Sequence, residues 1–259
     1  MSDFSENTKP TLVLLHGWGL NRAVWDKVLP LLPPDQSVLC LDLPGFGDQQ
    51  SLPTPYTLPA ITEQLLPMIP AHSIVLGWSL GGLVALQMAI MAPEKIQAIA
   101  LVTSSPCFVA QTGWPGIAPN VLATFATSLQ SDVGKTIERF MAIQAMGSAS
   151  ARQDIKQLKE AVMALPLPHP LALQGGLAIL AQSDLRASLS AIACPVFACF
   201  GRLDALVPIA VADQVLAFKS DLHVAQFAKA SHAPFMSHPL EFIEWLHQVL
   251  HSVLGSQQT

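Results

Sequence analysis

Five residues, Gly77-Trp78-Ser79-Leu80-Gly81, restrict this chain more than any other stretch. An apolar run at 73–77 (SIVLG) precedes them and a helix-like run at 80–91 (LGGLVALQMAIM) follows. A serine at the apex of a sharp strand-to-helix turn has its hydroxyl pushed out to where a substrate can reach it. Glycine is needed two residues to either side, because a Cβ there would collide with the neighbouring strand and helix. The following helix aims free N–H groups and the positive end of its dipole at the reacting oxygen. The pattern therefore reads as a nucleophile elbow.

Strand and helix alternate around it. Residues 11–16 (TLVLLH) form a near-continuous apolar run, as expected of a parallel strand buried on both faces. A glycine-rich loop, His16-Gly17-Trp18-Gly19, follows. Residues 21–32 read as a helix with Asn21 as N-cap, and 38–43 as a strand closed by Pro44-Gly45-Phe46-Gly47. A helix near 58–68, the elbow strand with its helix, and a strand at 96–103 complete the first half. Strands return at 195–201 and 222–228, with helices at 209–218 and 239–254. This order predicts an α/β architecture, a mostly parallel, doubly wound sheet.

The rhythm breaks between 108 and 184, where helical periodicity occurs without strands. Helices are expected at 122–129, 133–146, 151–165 and 171–180, divided by Gly147 and the prolines at 166–170. An all-helical piece between two sheet-forming halves reads as a lid over the carboxyl ends of the strands. The domains are then a core of 1–107 and 185–259 and an inserted lid of 108–184.

A serine hydroxyl needs a base, and the base needs an orienting acid. In this architecture the partners follow in the order Ser, acid, His, each beyond a later strand. Asp204 follows the strand at 195–201 and His232 the strand at 222–228. Asp42 precedes the serine and reads as a turn former. Asp184, Asp213 and Asp221 lie beside or inside helices. His16 reads as shaping its loop through hydrogen bonds, and the remaining six histidines as surface or capping residues. Two backbone N–H groups, of Leu80 and Trp18, are the expected donors to the tetrahedral oxyanion. Trp18 and Trp78 are candidate walls of an acyl slot.

Composition limits the alternatives. Three stretches (64–93, 96–131 and 161–183) carry no charged residue and are long enough to raise a membrane span, which needs roughly 20 apolar residues. Prolines, histidines and polar residues interrupt each, so no span is expected. Residues 1–10 lack the charged-then-apolar pattern of a signal peptide. Four cysteines without a C-x-x-C pair fit buried thiols in a reducing cytoplasm. A formal charge of −5 argues against general nucleic-acid binding, and no histidine spacing implies a metal. Charge is uneven: residues 135–159 carry a net +3 and the rest −8. Lys135 with Arg139, and Arg152 with Lys156 and Lys159, fall at helical spacing, so each set shares a face. A basic patch on an acidic chain suits an acidic partner, although a solvated face has the same pattern.

The elbow, the HGWG loop, DLPGFG at 42–47 and the late Asp and His together resemble the α/β-hydrolase superfamily. Longer strings resemble its pimeloyl-[acyl-carrier protein] methyl ester esterases of biotin synthesis. They are LLHGWGLN at 14–21, LGWSLGGLVA at 76–85, SSPCF at 104–108, WPGI at 114–117, ERF at 138–140, ARQD at 151–154 and APFMSHP at 233–239. The resemblance implies a cytoplasmic, monomeric serine carboxylesterase that uses no cofactor. Its substrate would be a pimeloyl methyl ester held through phosphopantetheine on an acyl carrier protein. It further implies that Lys135, Arg139, Arg152 and Lys156 face the carrier and that Phe140 lies near the acyl chain. Lysine stands at 135 and 156 where arginine is expected, and residues 1–10 are too few for the two leading strands usual in the superfamily. Alternatives on the same fold are a generic small-ester or C–C-bond hydrolase, and a non-catalytic ligand receptor.

Overall fold

The apolar runs become six strands of one sheet in the computed structural model, which describes residues 9–255. These are β1 (Leu12–Leu15), β2 (Val38–Leu41), β3 (Ser73–Trp78), β4 (Ile96–Val102), β5 (Val196–Gly201) and β6 (His223–Phe227). Their order is β2-β1-β3-β4-β5-β6, and all five pairings are parallel. β1, β3 and β5 are buried along their whole length, the reason their sequences run apolar without alternation.

The chain moves outward from β1 to β2, then returns past β1 to β3 and continues the other way. That reversal falls at the carboxyl ends of β1 and β3, the place where open α/β sheets bind ligands. Register places the functional loops there. Leu15 pairs with Gly77, so the loop after β1 meets the turn after β3. Val102 pairs with Cys199 and Gly201 with Phe227, which brings the ends of β4, β5 and β6 to the same rim.

α1 (Leu58–Leu65) and α2 (Leu80–Met91) belong to the first half. α2 is apolar around its whole circumference and accordingly buried from Leu80 to Leu86. Between β4 and β5 come only helices: α3 (Pro119–Ser131), α4 (Val133–Gln144), α5 (Ala151–Met163) and α6 (Pro170–Gln182). Asp132 caps α4 by accepting from the Lys135 N–H, and His169 caps α6 through Leu171. α7 (Ala210–Leu216), the single turn α8 (Pro234–Ser237) and α9 (Pro239–Gly255) complete the core.

One expected helix is absent. Residues 21–32 form two short 3-10 turns, Arg22–Trp25 and Leu29–Leu31, although Asn21 does cap the first by accepting from the Ala23 N–H. Pro30 explains this: it has no N–H for the Asp26 carbonyl, and its ring would clash there in an α-helix. Pro67 acts similarly, so the expected helix at 58–68 finishes as a 3-10 turn, Leu66–Met68. Residues 1–8 and 256–259 lie outside the described range, and with them most of the N-terminal run discussed above. Among the described residues no helix is long and apolar enough to cross a membrane.

Candidate active site

The elbow is built by close approach. A Cβ on Gly77 would sit 2.3 Å from the Gly81 carbonyl oxygen, and one on Gly81 would sit 2.6 Å from that of Leu15. Ser79 itself adopts φ 53° and ψ −117°, a conformation few L-residues enter. Three bonds hold it there: its N–H donates to Val102 O, and its carbonyl accepts from the Gly82 N–H and the Ser104 hydroxyl.

Ser79 Oγ lies 2.9 Å from His232 Nε2, and His232 Nδ1 lies 2.7 Å from Asp204 Oδ2. All three residues are buried. The carboxylate can only accept, so Nδ1 carries the proton and Nε2 presents its lone pair to the serine hydroxyl. Asp204 is aimed by its other oxygen, which accepts from the N–H groups of Leu206 (2.7 Å) and Val207 (3.0 Å). The His232 carbonyl accepts from Trp78 Nε1 (2.8 Å) and Thr103 Oγ1 (2.6 Å). Trp78 is wholly buried against Trp25, Phe235 and the His232 ring. Its indole thus braces His232 from behind.

The loop after β1 presses on the same serine, since a Cβ on Gly17 would meet Ser79 Cβ at 3.2 Å. His16 Nε2 accepts from the Leu43 N–H at 3.0 Å, so its proton sits on Nδ1 and goes to the Gly17 carbonyl at 2.8 Å. In a trans peptide the C=O and the next N–H point opposite ways. Fixing the Gly17 carbonyl therefore fixes the direction of the Trp18 N–H. Burial lowers the His16 pKa from its ordinary value, although Asp42 and the Gly17 carbonyl pull the other way. Asp42 does not join the Ser79 group. It accepts from the Arg22 N–H, the Arg22 guanidinium and the Asp48 N–H, which secures the turn after β2.

The insertion reaches this floor at two places. Trp18 donates its indole N–H to Leu173 O in α6, and its ring meets Phe140 of α4 edge-on at 4.6 Å. At the far end of α4, Gln144 O accepts from the His232 N–H (3.2 Å) and the Ser231 hydroxyl (3.0 Å), while Met146 O also accepts from Ser231 (2.7 Å).

Lys135, Arg139, Arg152 and Lys156 are all exposed. Lys135 pairs with Asp132 and Lys156 with Glu160, while Lys159 pairs with Glu138. Arg139 and Arg152 have no ion pair among the described residues. Asp132 and Glu160 flank the stretch 135–159, so the net charge over 132–160 is +1 rather than +3. The basic character of this face rests on its two arginines.

Residues 10–239 match the family described as the alpha/beta hydrolase fold. A protein of Klebsiella pneumoniae subsp. pneumoniae named pimeloyl-[acyl-carrier protein] methyl ester esterase is 48% identical over 233 residues, 90% of each chain. One of the same name from Aeromonas hydrophila is 48% identical over 236 residues, 91% of this chain and 93% of that one. The chain belongs to this esterase family. Within the wider α/β-hydrolase fold, a solved esterase from Exiguobacterium antarcticum superposes with a TM-score of 0.81 at 18% identity, over 93% of this chain and 92% of that one. That likeness concerns the fold alone.

Sequence reasoning passed over several residues that support the esterase site. Thr103, at φ 42°, donates to the His232 carbonyl and Ser231 donates to the Gln144 carbonyl, but neither belongs to a motif, and Gln144, whose carbonyl also accepts from the His232 N–H, is one polar residue among many in a helix. The flanks of His232 and the end of β4 were the only hints.

Proposed function

We propose that the chain is a serine carboxylesterase that hydrolyses the methyl ester of a pimeloyl chain carried on acyl carrier protein, freeing the carboxylate and methanol, in biotin synthesis. The observation that carries this is the Asp204–His232–Ser79 chain of hydrogen bonds, 2.7 and 2.9 Å long, in a chain 48% identical to esterases so named. Ser79 Oγ attacks the ester carbonyl while His232 Nε2 takes its proton. The N–H groups of Leu80 and Trp18 receive the developing oxyanion, the latter aimed by His16. His232 returns the proton to the departing methanol. A water then attacks the acyl-serine, giving its proton to His232, and the free carboxylate leaves. Asp204 holds the His232 tautomer throughout.

In this reading residues 108–184 are a lid. Phe140 packs over Trp18 at the slot, and Arg139 and Arg152, joined by Lys135 and Lys156, meet the acidic carrier and its phosphopantetheine. Arginine suits that phosphate by bidentate contact, and lysine supplies a point charge. Trp78 acts as a brace rather than a slot wall. The enzyme works as a cytoplasmic monomer. Incubating purified protein with a carrier-linked dicarboxylate methyl ester should release methanol and leave the thioester intact. Absence of demethylation, or equal release by Ser79→Ala, contradicts the assignment.

A further inference from the structure

The string SSPCF at 104–108 has no part in the chemistry described above, yet its first residue touches the nucleophile. Ser104 is 1% exposed, and its hydroxyl lies 2.7 Å from the Ser79 carbonyl oxygen. A carbonyl only accepts, so Ser104 Oγ donates and its single proton is committed there. Gly82 keeps the room for this contact: a Cβ on it would stand 2.3 Å from Ser104 Oγ and 2.5 Å from Ser104 Cβ. Gly82 is a glycine chiefly because Ser104 fills the space that its side chain would take.

Three consecutive residues at the end of β4 grip the site. Val102 O accepts from the Ser79 N–H (3.1 Å), Thr103 Oγ1 donates to the His232 carbonyl, and Ser104 Oγ donates to the Ser79 carbonyl. The last of these has a consequence for the Leu80 N–H, which belongs to the same peptide unit as the Ser79 carbonyl. In a trans peptide the two groups point opposite ways, so a partner that holds the carbonyl on one side aims the N–H to the other. A hydrogen-bonded carbonyl also polarises its peptide, which strengthens the N–H as a donor. The Trp18 N–H is served in the same manner, since His16 Nδ1 holds the Gly17 carbonyl at 2.8 Å. Each expected oxyanion donor therefore has a buried side chain on the carbonyl of its own peptide, His16 for one and Ser104 for the other.

We propose that Ser104 is a positioning residue that aims and polarises the Leu80 N–H toward the oxyanion through the Ser79–Leu80 peptide. The inference rests on the esterase reading above and deepens its oxyanion step. When Ser79 Oγ bonds to the ester carbon, the π pair moves to the ester oxygen and the Leu80 N–H meets the charge. Electron density is pushed through the peptide onto the Ser79 carbonyl, where the Ser104 proton receives it. That proton stays on Ser104 throughout, and Ser104 has no need to touch the ester. The ester carbonyl carries little charge before attack, so the effect belongs to kcat rather than KM.

The test uses Ser104→Ala on a short free methyl ester, with a short-chain trifluoromethyl ketone as the probe. Ser79 Oγ adds to this ketone and leaves an oxyanion where the tetrahedral intermediate would have one. The variant should lose kcat on the order of 10-fold with KM within about 2-fold, short of the roughly 10²- to 10³-fold cost of deleting an oxyanion donor outright. The ketone Ki should rise by the factor by which kcat/KM falls, because both report the oxyanion. The acidic limb of kcat/KM against pH should stay where wild type has it, since the contacts of His232 are untouched. A crystal structure of the wild-type ketone adduct gives a check that needs no variant: its oxyanion should lie within about 3.1 Å of Leu80 N, with Ser104 Oγ still on the Ser79 carbonyl. Unchanged kcat, a loss confined to KM, a displaced pH limb, or an oxyanion turned away from Leu80 would each overturn the proposal. Turnover retained by Ser79→Ala would sink the esterase reading, and this inference with it.

Discussion

The rim of the sheet and the helical insertion are built on opposite terms. At the rim, position is set by steric necessity: glycines where backbones nearly touch, a serine at positive φ, a histidine held through its own carbonyl by Trp78 and Thr103. No charged residue occurs between 64 and 93, through the whole elbow and its helix. In the insertion, position is set by amphipathic periodicity and caps, and the outward face carries the charge. A site of the first kind tolerates almost no substitution. One of the second kind can change partners by changing surface residues. On the proposed function, chemistry belongs to the rim and recognition to the insertion.

The strongest way to break that division is to remove the rim chemistry. Ser79→Ala and His232→Ala should each lower kcat by on the order of 10⁶ on every ester, with folding intact by circular dichroism. Asp204→Asn should cost about 10⁴, since tautomer and orientation are lost while the nucleophile remains. Asp42→Asn should keep most activity, because Asp42 serves the turn after β2. An inactive Asp42→Asn beside an active Asp204→Asn would reverse the assignment of the acid.

A smaller effect sharpens the other half. Arg139→Glu with Arg152→Glu should lower kcat/KM on a carrier-linked ester by roughly 10- to 100-fold, as expected from repulsion of an acidic partner. Hydrolysis of a short free ester should barely change. Equal losses on both substrates would mean that the insertion is merely disturbed, and the division would fail.

The smallest effect concerns stability within the rim. Burial depresses the His16 pKa below its ordinary 6.5, so between that value and the lowered one the unfolded chain binds more protons than the native state. The His16 contribution is therefore present above about pH 6.5 and is lost as pH falls toward the lowered pKa. Urea unfolding from pH 8 downward should show a steeper loss in wild type than in His16→Gln. Parallel curves would mean that His16 is not held neutral in the fold.

Much of this was readable in advance, for reasons that differ by region. Buried parallel strands write themselves as apolar runs, so all six were found within about two residues at either end, and Ser79, Asp204 and His232 follow from where those strands end. The four inserted helices were found through their period and breaks at Gly147 and the prolines. The reading failed at 21–32, where apolar spacing suggested a helix and Pro30 overrode it. It also missed contacts that join distant segments, such as Thr103 to the His232 carbonyl and Ser231 to the Gln144 carbonyl in α4. Such contacts depend on three-dimensional closure, and no local pattern encodes them. The charge count over 135–159 misled in a simpler way, because Asp132 and Glu160, which neutralise two lysines, fall just outside that window.

One measurement tests the division of labour most directly: the ratio of kcat/KM for a carrier-linked methyl ester to that for its free counterpart, in wild type, at about 0.1 M and about 1 M salt. Screening shortens the electrostatic range from about 10 Å to about 3 Å over that interval. The account predicts a preference for the carrier-linked ester that salt erodes, with hydrolysis of the free ester unaffected because its chemistry lies in the buried rim. A ratio near one at low salt, or a preference that salt leaves untouched, would contradict it.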